Sequence, residues 1–353
     1  WWTWRLNINM SDFKINSIAT KQGQHGPVIA GVSTINSTGC MKIPSGPTEF
    51  RGGRGRGISA GGSPGPLNID MEFLTIASAG NGQDFGDLSS ARNNLGASAS
   101  STRAVFAGGS EPSYITKIEY ATISSGGGVA DFGELTLARM PFMSNSNNTI
   151  SITYGGYDGT NENVIDFVNI ASTGDATDFG SDNIMRRSVA ATGNTTRAVI
   201  FGGYGDQNFG QNQTPIGPMA KISFNTYATK GDSIPFGELS FKVYGAAGVS
   251  NNTRGIFAGG YDYRSPVLDT KNEIEFITIA SEGNGTDFGD LTAARRSHGG
   301  MSNSIRGLFV GGYTPTVLNT IDFITIASAG NAQDFGDLLA AKRSNGCCTD
   351  SHG

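Results

Sequence analysis

Short apolar runs, each closed by a pair of glycines, recur along the chain. In Arg306-Gly307-Leu308-Phe309-Val310-Gly311-Gly312-Tyr313 the apolar run meets its glycine pair, and a polar stretch follows. The next run, Ile321-Asp322-Phe323-Ile324-Thr325-Ile326-Ala327, alternates partly at period two and is rich in β-branched residues, which predicts a strand. A glycine-rich turn then leads into Asp334-Phe335-Gly336-Asp337-Leu338. The segment ahead of this unit, Ala294–Met301, is small and apolar. Each unit therefore predicts four strands: a small-residue strand, a glycine-pair strand, an Ile/Phe strand and an Asp-Phe-Gly strand.

The unit repeats. Glycine pairs stand at Gly61-Gly62, Gly108-Gly109, Gly155-Gly156, Gly202-Gly203, Gly259-Gly260 and Gly311-Gly312, at spacings of 47, 47, 47, 57 and 52 residues. A Phe-Gly step follows each pair, at Phe85, Phe132, Phe179, Phe236, Phe288 and Phe335. A period near fifty residues with four short strands is the pattern of a β-propeller blade, so the fold class is all-β, with six blades of four strands. The small-residue strand belongs next to the axis, where large side chains collide; Gly96–Ser100 and Val189–Gly193 fit that place. The last residues, Arg343–Asp350, have the phase of a small-residue strand and are expected to complete the blade begun by Gly57–Leu88, leaving no free sheet edge. Cys347 and Cys348 fall in that strand as packed small hydrophobes.

Composition agrees and narrows the partners. The 52 glycines among 353 residues suit many tight turns, and the formal charge of −5 gives no electrostatic reason to expect nucleic acid. No apolar stretch approaches the roughly 18 residues of a membrane helix, so membrane insertion is not expected. Three cysteines, Cys40, Cys347 and Cys348, make no disulfide framework. The ring is assigned to 51–353 and an N-terminal extension with a short β arm to 1–50, of which 1–9 read as an addition ahead of a natural start at Met10. No signal peptide is recognised. Val28–Val32 and Cys40–Pro44 form the arm's two expected strands around an Asn36–Gly39 turn, and a lone hairpin of this kind needs a surface or a second copy to pack on. Oligomerisation through the arm is one expectation, docking on a larger particle the other.

Features present in every unit point to structure, because a catalytic group is needed once. The arginines that open strands, Arg56, Arg103, Arg197, Arg254 and Arg306, read as blade-to-blade hydrogen-bond donors. Asp-Phe-Gly lacks the other parts of a kinase magnesium site and, with its glycine-rich surroundings, reads as turn-forming. The Asn-X-Thr triplets read as turn chemistry, and Arg51–Gly57 as a linker entering the ring.

Loop length breaks the repeat. From the second glycine to the next strand's aromatic the distance is 11 residues in four units, but 21 from Gly203 to Phe224 and 16 from Gly260 to Phe276. Both insertions lie in the same connection of neighbouring blades, so they project side by side from one face, the usual place for binding. They supply Tyr204, Asp206, Gln207, Asn208, Phe209, Gln211 and Asn212, then Tyr261, Asp262, Tyr263 and Arg264. Aromatic faces stack on sugar rings while amides and carboxylates pair with hydroxyls, so these residues are the candidate ligand site.

The order of arginine, small strand, apolar run ending Gly-Gly-Tyr, strand and aromatic-Gly step resembles the kelch repeat, with phenylalanine where kelch blades usually carry tryptophan. Units such as Ile321–Leu338, and the Ile43–Thr48 segment before Arg51–Gly57, resemble virion structural and tail-fibre proteins of marine cyanophages. The resemblance implies a non-enzymatic virion appendage, made in the host cytoplasm, whose partners are a host surface glycan or other virion proteins. A kelch-type protein scaffold or inert structural decoration is the alternative. Enzymes also occur on kelch-like propellers, the copper-containing galactose oxidases among them. The three histidines, His25, His298 and His352, suit that chemistry poorly, and no spaced arginine cluster with paired carboxylates marks a glycosidase. No catalytic residue, metal site or cofactor is therefore assigned.

Overall fold

The computed structural model of the protein describes residues 55–206, 216–262 and 269–350. Among these residues the strands form six blades of four antiparallel strands arranged as a ring, a six-bladed β-propeller. From the axis outward, blade 2 runs Gly96–Ala99, Arg103–Ala107, Lys117–Thr122, Ala130–Glu134. Blades 3 to 6 repeat the order, beginning from inner strands Ser144–Ser146, Ala190–Gly193, Ala247–Ser250 and Gly299–Ser302.

Blade 1 is composite. Its inner strand, Gly346–Thr349, comes from the C-terminal part of the chain and pairs with Arg56–Ala60, in register Gly57 with Thr349 and Ala60 with Gly346. The predicted closure is therefore present. The crowding near the axis is equally visible: a Cβ on Gly248 would lie 2.4 Å from the Ala191 carbonyl oxygen, and one on Gly300 would lie 2.4 Å from that of Gly248.

Apolar packing lies between blades as much as within them. Ile58, Met71 and Phe85 of blade 1 join Phe106, Ala121 and Ile123 of blade 2 in one buried cluster. In all six blades the third-strand aromatic meets the outer-strand phenylalanine edge to face, with centroids between 5.8 and 6.4 Å, as in Phe167–Phe179 and Phe73–Phe85.

Asp-Phe-Gly forms the outer strand, the fourth strand expected of each unit, and the turn-forming role also read for it is corrected. Its phenylalanine is core, and its carbonyl accepts from a glycine N–H of the next blade's turn, as in Gly127 to Phe85 (2.6 Å) and, across the closure, Gly80 to Phe335 (2.9 Å). The glycine of the motif has positive φ and lies against that same turn: a Cβ on Gly133 would fall 2.4 Å from the Gly174 carbonyl oxygen.

The strand-opening arginines do join blades. Arg103 Nη1 donates to the carbonyls of Ile170 (3.1 Å) and Ala171 (2.9 Å), and Arg306 reaches Ala77 (2.9 Å) across the closure. Each guanidinium also covers its own blade's third-strand ring, for example Arg103 over Tyr120 at 4.6 Å. Blade 3 has Ile150 at the equivalent place, and Lys230 of blade 4 covers Phe167 instead, at 3.8 Å. The Asn-X-Thr turns also appear as read: Asn194 Oδ1 accepts from the Thr196 and Arg197 N–H groups, both at 2.9 Å.

Candidate ligand-binding face

The linkers that pass from one blade's outer strand to the next blade's inner strand meet the glycine-pair connections on one end of the ring. Bridges between Asn93 and Ser110, Met140 and Tyr157, Tyr244 and Tyr261, Arg296 and Tyr313, and Ser63 and Arg343 mark the meeting points. Arg187 and Tyr204 make the sixth. Short hairpins extend this end beyond the sheets, at Ser110–Glu111 with Ser113–Tyr114, Tyr261–Asp262 with Asp269–Thr270, and Tyr313–Thr314 with Thr316–Val317. The sequence reading did not anticipate them.

Each linker except one carries a buried cation that ties it to its blade. Arg139 donates from Nε to the Gly155 carbonyl (2.7 Å) and from Nη1 to Asp166 (2.9 Å), while its own carbonyl accepts from Gly109 of the preceding blade (3.0 Å). Arg92–Glu119 (2.8 Å), Arg295–Asp322 (2.9 Å) and Lys342–Glu72 (2.6 Å) repeat the pair. In blade 4 the carboxylate has moved: Ser223 occupies the strand position, and Asp182 of the linker itself holds Arg186 at 2.7 Å. In blade 5 the cation has gone, Val243 standing fully buried in its place. Glu275 keeps the acid position and takes hydrogen bonds from the Ser240 N–H (3.2 Å) and hydroxyl. Burial accordingly raises the Glu275 carboxyl above its ordinary range.

In three linkers a second arginine follows the buried cation, as Arg186-Arg187, Arg295-Arg296 and Lys342-Arg343. These second guanidinium groups lie half-buried on the face, Arg187 and Arg296 between tyrosines and Arg343 against one. Arg187 covers Tyr157 at 4.3 Å and Tyr204 at 4.9 Å. Arg296 covers Tyr261 at 4.2 Å and Tyr313 at 5.3 Å, and Arg343 covers Tyr313 at 4.8 Å. Between Tyr204 and Tyr261 stands Tyr244, edge to face with both at 5.5 and 5.7 Å. Burial raises the Tyr244 phenol, and Arg296 hydrogen-bonds it, so this ring is fixed in place and un-ionised at neutral pH. The resulting arc of alternating aromatic and cationic groups runs over blades 3 to 6. Blades 1 and 2 present Ser63 and Ser110 where the others present tyrosine, so the sixfold pattern is broken on one side.

Of the predicted site residues, Tyr204 and Tyr261 are brought into this arc, and Asp262 stands beside Tyr261 in the same short strand. Asp206 ends the strand Tyr204–Asp206 that pairs with Ile216–Thr226. Gln207, Asn208, Phe209, Gln211, Asn212, Tyr263 and Arg264 lie outside the described residues, as does the expected N-terminal arm with His25 and Cys40. Tyr157, Arg187, Tyr244, Arg296, Tyr313 and Arg343 were missed. Their signal was present in the chain: Gly-Gly-Tyr occurs in four consecutive units, and two cation doublets fall between them with a third after the last.

The axis itself offers little room. One cavity of about 60 Å³ is lined by the inner strands of all six blades, including Ser98, Asn145, Thr192 and Cys348, and holds a few waters at most. A second, also about 60 Å³, lies where the linkers converge around Tyr244, His298 and Asn345. There one linker residue per blade has positive φ: Asn94, Phe142, Ser188, Gly245, Ser297 and Ser344. Successive N–H groups donate to the neighbouring linker's carbonyl, Ser297 to Gly245 (2.6 Å), Ser344 to Ser297 (2.7 Å) and Asn94 to Ser344 (2.9 Å) among them, so backbone narrows the mouth. His298 is buried there, and burial with the nearby Arg295 charge lowers its imidazole to about 3, which keeps it neutral. Cys347 and Cys348 are buried free thiols, Cys347 pushed up to about 12 by desolvation, and hence unreactive. Among the described residues no group of three or more His, Cys, Asp or Glu side chains is placed to hold a metal.

The class of protein is thereby defined as a six-bladed β-propeller with one asymmetric, aromatic and cationic face. Comparison with protein-family models gives no match to the chain, and comparison with curated proteins gives none.

Proposed function

We propose that this propeller is a recognition module that binds a surface glycan through the tyrosine–arginine arc, and that it does so without catalysis. The observation that carries the reading is the break in symmetry. A structural feature serves every blade alike, whereas the Gly-Gly-Tyr tyrosines occupy four consecutive blades and include the two with the long connections, and Tyr114 of blade 2 packs edge to face on the first of them at 5.9 Å. Tyrosine rings held edge to face by neighbours present fixed apolar faces with a polar rim, the combination that stacks on sugars at small entropic cost. The small axial cavities favour an extended ligand lying across the face over a small molecule buried in the channel. The likeness of the repeat units to phage virion propellers supports placing the module on a virion, with a host surface polysaccharide as ligand and the N-terminal arm as its attachment.

The test is binding of the purified protein to an array of bacterial surface polysaccharides, beside Tyr261→Ala. Tyr261 is half-buried and sits outside the inter-blade cores, so the variant should melt within a few degrees of the parent. Saturable binding by the parent, weakened about tenfold or more in the variant, is expected for loss of one stacking platform. Equal binding by both proteins would place the ligand elsewhere. Retention of a protein partner by the parent, lost in the variant and with no glycan bound, would favour the scaffold reading instead.

A further inference from the structure

We infer that the ligand of this face is an acidic saccharide, its carboxylates held by Arg187, Arg296 and Arg343; this rests on the glycan-binding reading above. The argument begins with the contrast between consecutive residues. The first cation of each doublet is buried and paired to a carboxylate: Arg186 to Asp182, Arg295 to Asp322, Lys342 to Glu72. The second is half-buried on the face, and among the described residues it forms no ion pair with any carboxylate. The protein thus neutralises the inner set itself and leaves the outer set to be neutralised from outside.

The geometry of the outer set suits a planar anion. A guanidinium carries its five N–H donors in one plane, at the edge, while its two faces are apolar enough to stack. Arg187 has rings on it from two blades, Tyr157 at 4.3 Å and Tyr204 at 4.9 Å. The two ring contacts hold the side chain in one orientation before the ligand arrives, and among the described residues no carboxylate takes its N–H donors. A carboxylate accepts two parallel N–H donors from such an edge, which a neutral hydroxyl does not. The three arginines occur in three different linkers, spread along the arc. One isolated acidic group cannot meet them together, whereas a polymer with an acid on each repeat can. The whole chain carries a net charge of −5, so three arginines without a carboxylate partner stand out on it as a local site for a polyanion.

The experiment compares each polysaccharide of the array with its carboxyl-reduced form, in which uronic acids become neutral hexoses and linkages are kept. The expected result is a loss of about tenfold or more on reduction, and a comparable loss for Arg187→Gln or Arg296→Gln against the native polymer, as for a charge-assisted hydrogen bond. Affinity for the native polymer should also fall as salt rises from 50 to about 500 mM, because the longer-range attraction between the polyanion and the solvent-reached arginines is screened. If native and reduced forms bind alike, the acidic assignment is wrong while glycan binding stands. If sulfated or phosphorylated polymers bind and carboxylated ones do not, the carboxylate assignment is wrong. If no polysaccharide binds in either form, the glycan reading fails and this inference with it. The melting temperature of each variant serves as the control for folding, and Arg187→Lys separates charge from fork geometry: it should recover only part of the affinity.

Discussion

Replacing the equivalent buried carboxylate in two blades by its amide should give unequal results. Glu119 of blade 2 has a side chain only 2% exposed and accepts from Arg92 at 2.8 Å. Glu119→Gln would leave the Arg92 guanidinium buried and uncompensated, a change that costs about 3–5 kcal/mol. Glu275 of blade 5 occupies the equivalent place, but Val243 has replaced its cation. Its carboxylate is held by Ser240 alone among the hydrogen bonds described, and an amide oxygen accepts the same N–H. Glu275→Gln therefore exchanges a charged for a neutral acceptor, a loss of about 1 kcal/mol, and removes a desolvated charge that offsets it. The two variants should differ by at least about 2 kcal/mol in urea denaturation, and at roughly 2 °C per kcal/mol Glu119→Gln should melt about 6–10 °C below the parent. The pH dependence carries a second signature. The folded Glu275 carboxyl titrates above its unfolded value, so between the two values the native state binds more protons. Its contribution is full below the unfolded pKa and is lost as pH rises through the folded one. Glu275→Gln should thus gain stability relative to the parent on going from about pH 4 to pH 7. Equal destabilisation by the two substitutions, at both pH values, would refute the role assigned to the missing cation.

Two further outcomes follow from the fold. Cys347 and Cys348, buried with raised thiol pKa, should resist alkylation at pH 8 in the native protein and react once urea unfolds the ring; rapid native labelling would contradict the closure strand Gly346–Thr349. Gly133→Ala places a Cβ against the Gly174 backbone at positive φ and should cost about 2–3 kcal/mol by denaturation; a neutral result would contradict the blade-to-blade contact described there.

Much of the ring was readable because its determinants are local and periodic. The glycine pairs, the Ile/Phe strands and the Phe-Gly steps each lie within one unit, so spacing alone places them, and the phase of Arg343–Asp350 announces closure. The buried cation–carboxylate pairs were not read, although Arg92–Glu119, Arg139–Asp166 and Arg295–Asp322 share one sequence separation. Their partners lie on different strands, and blade 4 hides the rule by moving its acid to Asp182. The face was half legible. Loop length pointed to Tyr204 and Tyr261, but what joins them is Tyr244, from a linker with no insertion and in the position that carries arginine in three other linkers. Asp-Phe-Gly was placed in its strand, but its glycine was read as turn chemistry; here the glycine is needed for close approach of the next blade's backbone.

The most direct measurement is a crystal structure of the protein with the tightest-binding polysaccharide fragment from the array. The arrangement described here predicts sugar rings over Tyr204, Tyr244 and Tyr261, with an acidic group within hydrogen-bonding distance of Arg187 or Arg296. A fragment bound at the opposite end of the ring, where the strand-opening arginines lie, would contradict it.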